Sequence, residues 1–162
     1  MNVMIKKVES GREYSVARLV PGELQYMDRG YQFNYIPETL NGCVHIRTCG
    51  NDKLMPETEK CFTISVDSPV EVFILYPDKQ PVIPKWLDGY ERVRMNITRL
   101  DSCADNLKGY FSLYGKTFPA GEIPFYGNSP LYMLAQEWYV TSGGINYCMY
   151  SVAIKESYKN MK

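Results

Sequence analysis

Residues 22–53, GELQYMDRGYQFNYIPETLNGCVHIRTCGNDK, decide the fold class. Tyr31-Gln-Phe-Asn-Tyr35 alternates aromatic and polar side chains, the period of a half-buried strand, and Pro37 ends it. Leu40 is expected to anchor the connection inward. Cys43-Val-His-Ile-Arg-Thr-Cys49 alternates again, with Val44 and Ile46 on one face and His45 and Arg47 on the other. Gly50-Asn-Asp then signals a turn. Short alternating runs separated by turn residues are the grammar of an antiparallel sheet.

The same grammar extends in both directions. Residues 14–20 read as a strand stopped by Pro21-Gly22, and residues 1–12 as a short edge strand or a loose tail. Residues 61–66 alternate with Phe62, Ile64 and Val66 inward. Residues 70–76 are almost continuously apolar, as in a central strand buried on both faces. The proline-rich residues 77–84 cannot form a central strand. Residues 90–97 and 110–114 predict further strands around a polar loop at 101–109. A bend at Phe118-Pro-Ala-Gly121 leads into another short strand, closed at Tyr126-Gly-Asn-Ser-Pro130. Residues 131–140 and 145–154 flank Thr141-Ser-Gly-Gly144 and predict a final hairpin. No amphipathic helix, repeat or linker is evident. The expectation is one all-β domain over residues 1–162, an antiparallel β-sandwich or jelly roll, with loose termini at 1–12 and 155–162.

Composition narrows the function. The 162 residues carry 18 Lys+Arg and 18 Asp+Glu, so there is no net charge and no basic stripe, and nucleic acid is not an expected partner. No apolar run approaches the roughly 20 residues that span a bilayer, so membrane insertion is not expected either. The chain has 14 Tyr, whose rings bury apolar area while keeping a polar tip, which suits contact surfaces. The start, MNVMIKKVESG, lacks the apolar core of a secretory signal.

Cys43, Cys49, Cys61, Cys103 and Cys148 show no Cys-x-x-Cys spacing, and His45 is the single histidine, so neither a metal site nor any cofactor is expected. The cysteines are either disulfides or buried thiols. If oxidised, Cys49 with Cys61 and Cys43 with Cys148 are the candidate pairs, which leaves Cys103 over.

Several side chains are candidates for binding. Asp28 and Arg29 offer groups for a sugar hydroxyl or a carboxylate, or alternatively tie a turn to a neighbouring strand. Asn51, Asp52 and Lys53 make a polar corner, either a capped turn or an oxygen-rich cation site, although one carboxylate is thin for calcium. Trp138 and Tyr132 share one face of the expected last hairpin, opposite Tyr139, and are candidates for stacking on a ligand. Trp86 reads as a core plug. Asn96-Ile-Thr98 is a glycosylation sequon. Catalysis is not expected. His45 has no nucleophile motif to serve, and nothing places Glu122 beside Glu137 as a carboxylate pair.

One ordered set of motifs adds to this. Asp28-Arg29-Gly-Tyr31, Pro37, Leu40-Asn-Gly42, Ile46-Arg-Thr48 and Asn51-Asp-Lys53 are followed by Val70-Glu-Val72 and Pro84-Lys-Trp-Leu87. Then come Phe111-Ser-Leu-Tyr114, Phe118-Pro-Ala-Gly121 and Gly127-Asn128. From about Val20 to Asn128 this order resembles a β-sandwich accessory module of bacterial secreted, multi-domain proteins linked to polysaccharide degradation. Two departures stand out: His45 replaces an aromatic, and Tyr76-Pro-Asp-Lys79 replaces an Asp-x-Arg. The cysteines are also unlike typical members and suggest an extracellular relative of another kind. The resemblance implies a non-catalytic accessory or adhesion module and carries over no ligand. The expectation drawn from the whole sequence is a module, extracellular or at the cell surface, whose partner is carbohydrate or an extracellular protein. The alternative is a structural or assembly subunit that associates with copies or partner chains through its Tyr-rich strands.

Overall fold

The computed structural model describes residues 1–80, 82–100, 108–141 and 147–157. It is an all-β sandwich of two antiparallel sheets. The strands are β1 (Val3–Val8), β2 (Ser15–Arg18), β3 (Gln32–Tyr35), β4 (Val44–Arg47), β5 (Lys60–Val66), β6 (Val70–Pro77), β7 (Glu91–Leu100), β8 (Lys108–Phe118), β9 (Gly121–Tyr126) and β10 (Ser151–Glu156). Two short helices, α1 (Leu131–Leu134) and α2 (Glu137–Thr141), lie between β9 and β10. A three-stranded sheet runs β1-β5-β9, and a seven-stranded sheet runs β2-β4-β10-β6-β8-β7-β3.

Strand alternation builds two cores, one on each face of the large sheet. Phe62, Ile64, Ile123 and Phe125 of the small sheet pack on Ile46, Val72, Ile74, Tyr76, Val152 and Ile154 of the large one. The opposite side chains, Phe73, Leu75, Ile97, Phe111, Leu113 and Ala153, join Phe33, Leu19 and Leu40 in a second core. β6 therefore has apolar side chains on both faces, as its unbroken run requires.

The second core is enclosed because the large sheet curls. Beyond β2 the chain continues along β3: Gly22 N–H donates to Phe33 O, and Phe33 N–H to Glu23 O. The Phe33 ring meets His45 of β4 edge-on, with centroids 5.0 Å apart. The two ends of the strand order thus meet, and His45 is sealed inside.

Several expectations need correction. The final hairpin does not form. Its first half is α1 and α2, and in its second half the described residues 147–150 are not strand and β10 starts at Ser151. Pro130 precedes a Leu-Tyr-Met-Leu-Ala-Gln-Glu run of good helix formers, which outweighs the aromatic content that suggested a strand. Residues 1–12 are not loose. β1 pairs with β5, and Ser10 and Arg12 are hydrogen-bonded to Asp52. Lys155 and Glu156 belong to β10, and Ser157 N–H donates to Pro69 O. The turn at 142–144, most of the polar loop including Cys103, and residues 158–162 lie outside the described residues.

Candidate functional site

The polar corner is knitted to itself. Asp28 Oδ1 accepts the Gly50 N–H at 2.6 Å, and Oδ2 accepts the Asn51 N–H at 3.0 Å. These are the first free donors of the 3₁₀ turn Gly50–Leu54, so Asp28 caps that turn from a distant part of the chain. Arg29 donates to Asn51 Oδ1 at 2.8 Å and to the Asp28 carbonyl at 2.9 Å. Asp52 is buried beneath. Its carboxylate accepts from Ser10 Oγ (2.9 Å), Arg12 (2.7 Å) and the Tyr14 hydroxyl (2.5 Å). Burial, with Cys61 and Asp52 alongside, holds the Tyr14 hydroxyl protonated far above its ordinary range. Asp28, Arg29, Asn51 and Asp52 are thus engaged in bonds that tie the Gly50–Leu54 turn to the neighbouring chain.

Other motif residues interlock in the same way. Trp86 donates from Nε1 to Gly127 O at 2.9 Å, with its ring against Tyr90, Tyr126 and Tyr150. A Cβ on Gly127 would stand 2.0 Å from Pro56 O, so only glycine fits there. Asn128 is buried. Its side chain donates to Cys148 O and accepts the Tyr150 N–H, clamping the segment that enters β10.

The candidate disulfides are absent: Cys43, Cys49, Cys61 and Cys148 are all free thiols. Cys43 precedes Val44, which pairs with Ile154, whereas Cys148 lies before β10 at the Ile46 end of the same ladder. Register therefore holds these two apart. Cys49 Sγ instead donates to Glu13 O at 3.4 Å, and Cys61 Sγ lies 3.6 Å from the Tyr14 hydroxyl. Burial, then Asp28, pushes the Cys49 thiol up to about 11. Burial likewise pushes Cys61 up to about 12.

Aromatic side chains are among those left exposed to a ligand. On α1 and α2, Met133 and Tyr139 point inward, and Tyr139 shares a hydrogen bond with Ser129 Oγ at 2.9 Å. Tyr132 and Trp138 are both 55% exposed, flanked by the exposed Leu131 and Val140. Helical turns, not strand alternation, separate Trp138 from Tyr139. Asn96 is exposed within β7, its Oδ1 accepting from Arg92 at 3.2 Å. Glu122 stands on β9 and Glu137 on α2. Sequence reasoning missed two exposed rings, Tyr35 and Tyr110. Simple alternation put Tyr35 on the Phe33 side, but a bulge in β3 turns it outward.

The fold and this surface define a β-sandwich module with exposed aromatic side chains. Among the described residues no cluster of three or more His, Cys, Asp or Glu is arranged to hold a metal ion, and no helix is long and apolar enough to cross a membrane. No protein-family model and no curated protein matches the sequence. Solved structures do match. A β-glucuronidase from glycoside hydrolase family 2 superposes with a TM-score of 0.70 at 18% identity, over 93% of this chain and 14% of that one. A GH138 enzyme targeting pectin rhamnogalacturonan II superposes with a TM-score of 0.61 at 12% identity, over 96% of this chain and 16% of that one. At these identities the likeness is one of fold. The chain spans only a small part of either protein.

Proposed function

We propose that this chain is a non-enzymatic carbohydrate-binding module acting outside the cell or at its surface, alongside polysaccharide-degrading domains. The observation that carries this reading is the exposed pair Tyr132 and Trp138, on a fold that recurs as a small portion of two glycoside hydrolases. An exposed indole gains contact area and sheds water when the C–H face of a sugar covers it, with little side-chain entropy lost. The test is a glycan array. Saturable binding that falls about tenfold or more in Trp138→Ala supports the reading. An array blank for the wild-type protein overturns it.

Leu131 and Val140 favour a second reading. Aliphatic side chains beside the rings suit a partner chain better than a sugar. A structural or assembly role predicts self-association, or capture of a partner domain, in size-exclusion light scattering. Trp138→Ala would abolish that association and leave the array blank throughout.

A further inference from the structure

The seven-stranded sheet is wider than the sheet that covers it. On β8, Tyr114 and Phe118 pack against the shared core, but Tyr110, on the same face, is 52% exposed. In register, Tyr110 lies opposite Thr98 of β7, and Thr98 lies opposite Tyr35 of β3, which is 57% exposed. Thr98 is flanked by the inward-facing Ile97 and Arg99, so the row Tyr35–Thr98–Tyr110 faces out. The two rings are two strand spacings apart, about 10 Å. The β3 bulge between them is pinned: the Tyr35 N–H (3.2 Å) and the Asn34 side-chain amide (3.3 Å) both donate to Thr98 Oγ1. Arg94 is exposed between Val93 and Met95, which pack inward, so its guanidinium joins this face. Among the described residues it has no hydrogen-bond or ion-pair partner. Arg92 on the same strand is occupied with Asn96 and Ser112, and Asp78 is held by Ser112.

We propose that this uncovered sheet face is a second binding site, taking a glycan chain that carries carboxylates, a uronic-acid polymer. The inference rests on the carbohydrate reading above but places a different site. Two phenol rings spaced across strands offer stacking faces for separate sugars of one chain, and the Thr98 and Asn34 groups between them are polar. Among the described residues of this face the exposed cations, Arg92 and Arg94, outnumber the nearby carboxylate of Asp78, and this complements an anionic ligand. The exposed rings here are tyrosines, whereas those on α1 and α2 are flanked by the exposed aliphatic side chains Leu131 and Val140.

The test is affinity electrophoresis of protein unglycosylated at Asn96, in gels containing polygalacturonate, alginate or hyaluronate. Fully methyl-esterified polygalacturonate and polyglutamate serve as matched controls. At least one uronate polymer retards the wild-type protein, and the esterified polymer and polyglutamate do so weakly. Tyr35→Ala and Tyr110→Ala each weaken retardation about tenfold, Arg94→Ala weakens it several-fold, and Lys6→Ala on β1 leaves it unchanged. Thermal unfolding confirms that these surface variants fold. Retardation by none of the three uronates overturns the site. So does equal retardation by polyglutamate, or loss with Trp138→Ala but not with the two tyrosine variants. In the last case, or if an array shows only neutral glycans bound, the broader carbohydrate reading survives without this site.

Discussion

Asp28 illustrates how a residue that resembles a ligand serves the fold. Its two oxygens satisfy two N–H groups at the start of the Gly50–Leu54 turn. Asp28→Ala leaves both without their partner and is expected to cost about 1–2 kcal/mol in urea unfolding. Gly127→Ala, which drives a methyl into the Pro56 carbonyl, is expected to cost about 3 kcal/mol. His45 gives a pH dependence. Burial first, then the Arg47 charge, pushes it down to about 3, and neither ring nitrogen has a hydrogen-bond partner among the described residues. Below pH 6.5 the unfolded chain takes up a proton that the folded chain refuses. Stability therefore falls as pH falls, by about 1.4 kcal/mol per unit, until the folded-state value near 3 is reached. Urea midpoints between pH 7 and pH 5 should show this slope, and His45→Leu should flatten it. An unchanged slope in that variant would assign the effect elsewhere. Sequence marked Asp28, Arg29, Gly127 and Asn128 as an ordered set. It could not show that Asp28 accepts from the Gly50 and Asn51 backbone, or that Asn128 bonds the backbone of Cys148 and Tyr150, because those partners lie far apart in the chain.

At the scale of elements, the segment between β9 and β10 departs most from what the sequence suggested. A run such as residues 131–140 has strand-like aromatics and helix-forming neighbours at once, and short apolar runs do not settle the period. Tertiary anchoring decides it, with Met133 and Tyr139 inserted on one side. Tyr139→Ala is accordingly expected to cost about 3–5 kcal/mol, and Trp138→Ala less than about 0.5, as measured by chemical denaturation. Comparable losses would mean that Trp138 supports the fold and is not reserved for a ligand. The strands themselves were legible because alternation directly reports a half-buried face. The bulge in β3 was not, since one inserted residue leaves composition and period nearly intact. The edges of the small sheet are protected: β1 presents exposed Lys6 and Lys7 beside a bulge, and β9 carries Pro124. Strand addition is thus a poor route to assembly, and any partner is expected to use side-chain surfaces.

For the whole molecule, the two-sided core follows from sequence where a strand such as β6 is apolar throughout. The curl that brings β3 against β4 depends on pairing between 22–25 and 31–33, which no local pattern announced. The thiols follow from that architecture. Buried Cys49 and Cys61, both pushed well above the ordinary thiol range, should resist alkylation at pH 8 in the folded protein and react on unfolding, as read by mass spectrometry. Rapid native labelling of either would contradict the described packing. The place of β10 carries a further consequence. It is the last strand among the described residues, yet it lies between β4 and β6 near the middle of the large sheet. While the polypeptide is being synthesised, β4 and β6 have all their other neighbours in hand but face an open slot, with Ile46, Val72 and Ile74 unsealed. The sheet closes only when residues 151–156 emerge, so folding is a late event governed by long-range closure. A nascent chain stopped before Ser151 should remain protease-sensitive and bound by chaperones, and a separate peptide of that strand should be able to complete it.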